Sequence, residues 1–177
     1  MVAPVIALVG VASAERGSPP DVTKLLGQAV KLVRGTHPPT FAKARVLEAD
    51  GSPKNGRLAT SAASITRWYF VLDNQRSESA YATATVRYTA GSGFEQVVGH
   101  RSVYTEDLVI PKAPKMTLEQ AVARLRRAGQ SAGFSAVVLR NPLGPSPGSK
   151  PLYIFTMANG DFYAVNTVTG KVSPLAG

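Results

Sequence analysis

"PKAPK", residues Pro111 to Lys115, is the stretch on whose reading the fold turns. Two prolines in five residues remove two backbone donors, so neither a helix nor a central strand continues through it. It reads as a linker, residues 111–116, between an N-terminal unit over 19–110 and a C-terminal unit over 117–177.

Downstream of it, Thr117 is placed to cap a helix, with Gln120 completing a capping box and Leu118, Ala121, Val122 and Leu125 forming the apolar stripe. Arg124, Arg126 and Arg127 lie off that stripe and form a short basic patch. "FSAVVLR" is a strand, and "NPLGPSPGSKP" is a loop leading to an aromatic hairpin. Asn159-Gly160 suits a two-residue type I′ turn, which sets Met157 opposite Phe162 and Phe155 opposite Ala164. Met157, Phe155, Phe162 and Ala164 would then share one face, with Ile154, Thr156, Tyr163 and Val165 on the other. Thr169-Gly170 turns the chain into a last strand around Lys171 to Ser173.

Upstream, Asp21 caps a helix with Val22, Leu25, Leu26, Ala29, Val30 and Val33 at helical spacing, ending at Gly35. A strand over Phe41 to Asp50 stops at Gly51, and "DGSPKNG" reads as a loop from its turn residues. "SITRWYFVLD" (64–73) and "AYATATVRYT" (80–89) make an antiparallel pair. The two halves thus show one order of elements at the level of pattern. The expectation is an α+β chain of two tandem modules, each one helix packed on an antiparallel sheet of three to four strands.

Composition sets the limits on function. The chain has 177 residues, 44% of them hydrophobic, enough for a core, and a formal charge of +9. Residues 1–110 hold 12 Lys/Arg against 9 Asp/Glu, and 111–177 hold 8 against 2, so the C-terminal part is the more basic. Such a field favours anionic partners without choosing among them. With no cysteine there is neither a disulfide framework nor a thiolate nucleophile or ligand. "MVAPVIALVGVASAER" begins with an apolar run ending in Ala12-Ser13-Ala14, a small-x-small pattern of the export-signal type without a basic n-region. Residues 1–14 read as an export-signal remnant or as a strand or loop of the body, and the first reading makes the protein secreted or cell-envelope.

No pattern of residues assembles a catalytic constellation. His37 sits in a Pro-rich loop and His100 beside a strand; Glu106 and Asp107 are adjacent, and neighbours on a strand point to opposite faces. Gly91-Ser92-Gly93 lacks the Lys-Ser/Thr of a phosphate loop, and no metal-ligand spacing is present. The reading is therefore not an enzyme, with no cofactor and no metal. Aromatic strands supply the alternative. A sheet covered by one helix leaves its other face to water, which puts Arg67, Tyr69, Tyr81, Thr83, Thr85 and Arg87 on an open face. Tyr and Arg there suit a protein contact, since they offer large area for few rotatable bonds.

The C-terminal part resembles the PepSY domain, from Thr117 to Val172. The residues that carry the likeness are "TLEQAVARLRRAG", Tyr153 to Met157, Phe162-Tyr163-Ala164-Val165 and Thr169-Gly170-Lys171-Val172. Asn166 stands where that family commonly has Asp. The paired arrangement is similar to the architecture of the beta-lactamase inhibitory protein, without its cysteines. This resemblance implies a bacterial binding or inhibitory module. The expected function is an exported non-catalytic module that contacts, and inhibits or chaperones, another protein such as a protease or hydrolase. The alternative is a basic module for an envelope polymer or nucleic acid.

Overall fold

The structure is a computed structural model that describes residues 19–36, 40–74, 81–104, 107–143 and 150–175. His37, Glu106 and residues 1–14 lie outside the described residues. The chain runs α1 (Val22–Thr36), β1 (Arg45–Pro53), β2 (Ile65–Asp73), β3 (Thr83–Thr89), β4 (Gly93–Phe94), β5 (Val98–His100), β6 (Asp107–Leu108), α2 (Leu118–Arg127), β7 (Phe134–Pro142), β8 (Leu152–Met157), β9 (Phe162–Asn166) and β10 (Val172–Leu175). Across the sheet the order is β10-β9-β8-β7-β1-β2-β3-β4, with β5 beside β3 and β6 beside β7.

Both helices begin as their capping residues dictate. Asp21 Oδ1 accepts the Thr23 N–H at 2.9 Å, and α1 buries Val22, Leu25, Leu26, Ala29 and Val33. Thr117 Oγ1 accepts the Gln120 N–H at 3.2 Å while Gln120 Oε1 accepts the Thr117 N–H at 3.0 Å, a complete capping box. The second oxygen of Asp21 accepts the Leu118 N–H at 2.9 Å. One carboxylate therefore closes the N-termini of both helices, where unpaired N–H groups favour an anion.

Two separate helix-on-sheet modules do not form. Among the described residues the fold is a single sheet of ten strands carrying two short α-helices. At its centre β1 pairs with β7, Glu48 to Gly51 facing Arg140 to Val137, so the ladder continues where the expected modules would part. Burial explains the join: Ala49, Val137 and Leu139 are fully buried, and splitting the sheet would expose them together with two rows of backbone donors. One hydrophobic core holds residues from both helices, from Val22 to Leu125, and from strands on either side of the join. Further ties cross it. Ala59 bridges to Phe134, and Arg126 donates to the Thr60 carbonyl at 3.1 Å. Even the proline stretch is anchored at its entrance, where Ile110 is buried and its N–H donates to the Val46 carbonyl at 2.8 Å.

Two local expectations also change. β1 does not stop at Gly51 but runs to Pro53, because Trp68 stands opposite and fills the glycine's place. A Cβ at Gly51 would sit 2.7 Å from the indole, so glycine here makes room within a strand and does not make a turn. At Asn159-Gly160 only the glycine has positive φ (88°). The Gly160 N–H donates to the Met157 carbonyl at 3.0 Å and the Met157 N–H to the Asp161 carbonyl at 2.8 Å, giving a three-residue loop with a bulge. Asn159 stabilises it by accepting the Asp161 N–H on its side-chain oxygen. Pairing is shifted by one residue: Phe155 faces Tyr163 and Thr156 faces Phe162. A one-residue slip exchanges the faces of one strand against the other. Tyr153, Phe155 and Met157 are buried beneath α2 with Tyr163 and Val165 packed among them, and Phe162 turns to the other side.

Candidate functional site

The face opposite the helices follows from the register. Across its middle run Ala164, Ile154, Val138, Asp50, Tyr69 and Arg87, one from each strand from β9 to β3. No helix among the described residues covers this line. A groove of about 580 Å³ opens on it, walled by Asp50, Arg67, Tyr69, Arg87, Glu95 and Val138. The Arg87 guanidinium carbon lies 5.7 Å from the centre of the Tyr69 ring, a cation–π contact that holds both side chains in place. Arg67, two residues before Tyr69 and on the same face, donates to the Pro53 carbonyl at 2.9 Å. Both arginines remain exposed.

Of the residues expected on the open face, Arg67, Tyr69 and Arg87 meet in this groove. Thr83 and Thr85 share their side of the sheet but are buried. The end of β5 and the chain after it cover them: Thr83 Oγ1 donates to the Ser102 carbonyl at 3.1 Å, and Thr85 Oγ1 is hydrogen-bonded to His100 Nε2 at 2.8 Å. They hold the sheet's upper rim and take no part in the groove. Tyr81 precedes β3 and turns the opposite way, its ring 6.2 Å from that of the core residue Phe41. The absence of a Cβ at Gly99 admits this ring, since one there would lie 2.9 Å from it.

The three arginines of α2 do not act alike. Arg124 and Arg127 are exposed, whereas Arg126 donates to the carbonyls of Gln130, Ala132 and Thr60. Arg126 ties the loop that follows its helix to the segment before β2.

Next to the groove lies a charged cluster that no catalytic or metal-binding motif in the sequence marks. Glu48 and Asp50 stand two apart on β1 and hence on one face. The Tyr104 hydroxyl donates to Glu48 Oε2, and Arg140 on β7 donates to Asp107 Oδ1 at 2.7 Å. Burial, then the charge of Glu48 and a hydrogen bond with it, push the Asp50 carboxyl up to about 7, against the opposing pull of Arg140. Burial also raises the Tyr104 phenol, helped by Glu48. Arg140 is lowered by burial but raised by more through its bond to Asp107 and the nearby carboxylates, so it stays protonated. Glu48 and Asp107 are buried, which leaves Asp50 as the member at the groove wall. The Glu-x-Asp spacing on a strand was the available signal; its burial was not, because the residues that cover it come from far along the chain.

Among the described residues no group of three His, Cys, Asp or Glu is arranged to hold a metal ion. Likewise no helix among them is long and apolar enough to cross a membrane. No protein-family model matches the chain, and neither a curated protein nor a solved structure matches it.

Proposed function

We propose that this chain is an exported binding module that grips another protein, as an inhibitor or chaperone of an enzyme such as a protease or hydrolase, through the helix-free face of its sheet. The observation that carries this reading is the groove lined by Tyr69 and the exposed Arg67 and Arg87, with half-buried Ala136 and Val138 in its wall and half-buried Ile154 next to Val138 on β8. That composition, aromatic and guanidinium groups beside an apolar patch, is what protein interfaces concentrate at their centres. The strands that present it are backed by a continuous core, so little backbone freedom is lost on binding. Export rests on the apolar N-terminal run ending at Ala14.

The test is affinity capture from secreted and envelope fractions of the source organism with three baits: wild type, Tyr69→Ala/Arg87→Ala, and Arg124→Ala/Arg127→Ala. A protein retained by the first and third baits and lost from the second supports the reading. Equal retention by all three, or capture only of a polysaccharide or nucleic acid that moderate salt releases, overturns it, because phosphate-type contacts weaken steeply with salt.

A further inference from the structure

The same groove defines the chemistry of what it binds, an inference that rests on the reading just given. Among the described residues neither Arg67 nor Arg87 is in an ion pair; the pairs formed are Arg45 with Asp73 and Arg140 with Asp107. Arg67 is steadied by one backbone carbonyl and Arg87 by the Tyr69 ring, so both forks are oriented yet keep donors available. Two oriented guanidiniums lining one groove with an aromatic ring match a carboxylate, which accepts paired N–H donors. The apolar floor lies to one side only. Val138 and Ile154 are directly opposite each other on β7 and β8, three strands over from the β2–β3 pair that carries Tyr69 and Arg87.

We infer that the groove takes an extended segment of a partner protein that carries an acidic side chain, seated between Arg67 and Arg87, and a large apolar side chain resting over Val138 and Ile154. The spacing follows from sheet geometry. Three strand intervals of about 4.8 Å separate the two seats by about 14 Å, which an extended chain at about 3.3 Å per residue spans in about four residues. The net charge of +9 adds long-range attraction for an acidic partner.

The floor between the seats contains its own modulator. Asp50 pairs with Tyr69 on one side and Val138 on the other. The charged and titratable groups around it are Glu48 on β1, Arg140 on β7, Asp107 on β6, Tyr104 from the crossing chain, and Tyr69, Arg67, Arg87 and Glu95 along the groove. With Asp50 neutral, Glu95 is the one carboxylate lining the groove beside the two arginines, and ionised Asp50 adds a second that repels an incoming carboxylate. Binding should therefore weaken as pH rises from 6 to 8.

The experiment is selection of a random dodecapeptide phage library on the immobilised full chain at pH 6, followed by fluorescence anisotropy of the enriched peptides. The expected peptides carry Asp or Glu about four residues from Phe, Leu, Ile or Trp. They should bind at least tenfold more weakly to Arg67→Ala/Arg87→Ala and to Val138→Glu, and severalfold more weakly at pH 8, with the pH effect gone in Asp50→Asn. Circular dichroism of each variant separates lost binding from lost fold, and Arg87→Gln, which keeps length and polarity, substitutes where the double variant is not folded. Peptides that lack an acid but still fail on Val138→Glu and Tyr69→Ala would overturn the acidic occupant while leaving the face as a binding surface. Peptides indifferent to all these variants, no enrichment, or concentration-dependent self-association blocked by Val138→Glu would overturn the inference, the first two taking the proposed face with them.

Discussion

The two halves of the sheet bury similar things and show different ones. Beneath the helices, Phe70 and Leu72 on β2 and Tyr153 and Phe155 on β8 fill one core. On the helix-free side the β1–β3 half is charged and aromatic, with Arg67, Tyr69 and Arg87, and its upper rim is closed by the chain that links Thr83 to Ser102 and Tyr104 to Glu48. The β7–β10 half is apolar at Val138, Ile154 and Phe162 and has no such cover among the described residues. Core packing constrains the inward residues alike in both halves, because each must fill space under a helix. The outward residues are free of that constraint. What they display in the middle of the sheet is therefore where function is to be sought, and the groove lies where the charged and apolar halves adjoin.

The sharpest way to break this comparison is to damage one half and watch the other. Trp68→Ala, which empties the space over Gly51, should cost about 3–5 kcal/mol in chemical denaturation. Hydrogen exchange should show protection falling in β8 and β9 as well as in β2 and β3. Full protection retained in the C-terminal half would mean that the shared core is not cooperative. Asp21→Ala removes the carboxylate that caps both helices and should cost about 1–2 kcal/mol, with Asp21→Asn recovering part of it. A loss confined to α1 amides would show that the Leu118 bond contributes nothing.

The smallest effect concerns the acid at the junction of the two halves. Asp50 has a folded pKa of about 7 against 3.8 for the free side chain, so the folded state holds its proton more tightly than the unfolded chain does. The stability it contributes is full below pH 3.8, declines as pH rises and is gone above about 7. Asp50→Asn should flatten that decline and be more stable than wild type at pH 8 by about 1 kcal/mol, once solvent screening of a partly exposed group is allowed for. Denaturation midpoints measured from pH 4 to pH 8 would decide it; a wild-type curve that rises across this range would contradict the raised pKa.

Much of this was legible in local patterns. Both helices, their caps and their buried stripes follow from Asp21, Thr117, Gln120 and apolar spacing, since a helix is closed by hydrogen bonds within its own span. Three of the six residues assigned to the open face meet in the groove by strand alternation alone. Thr83, Thr85 and Tyr81 do not, because the chain segments that bury or redirect them lie about 15 to 40 residues away. Gly51 and Asn159-Gly160 misled for a related reason: the same residues serve turns and strands, and it is the opposing indole or a neighbouring side-chain hydrogen bond that selects between them.

Sequence by itself determined the elements that close their own hydrogen bonds or repeat at a fixed period: two capped helices, the alternating strands, the excess of positive charge. Tertiary structure alone decided that β1 and β7 share a ladder, which face of the hairpin is inward, and that Glu48, Asp50, Tyr104, Asp107 and Arg140 gather at one place. The physical reason is that a strand's ladder bonds are made with another strand, and its partner is chosen by the apolar area that only the assembled core can bury.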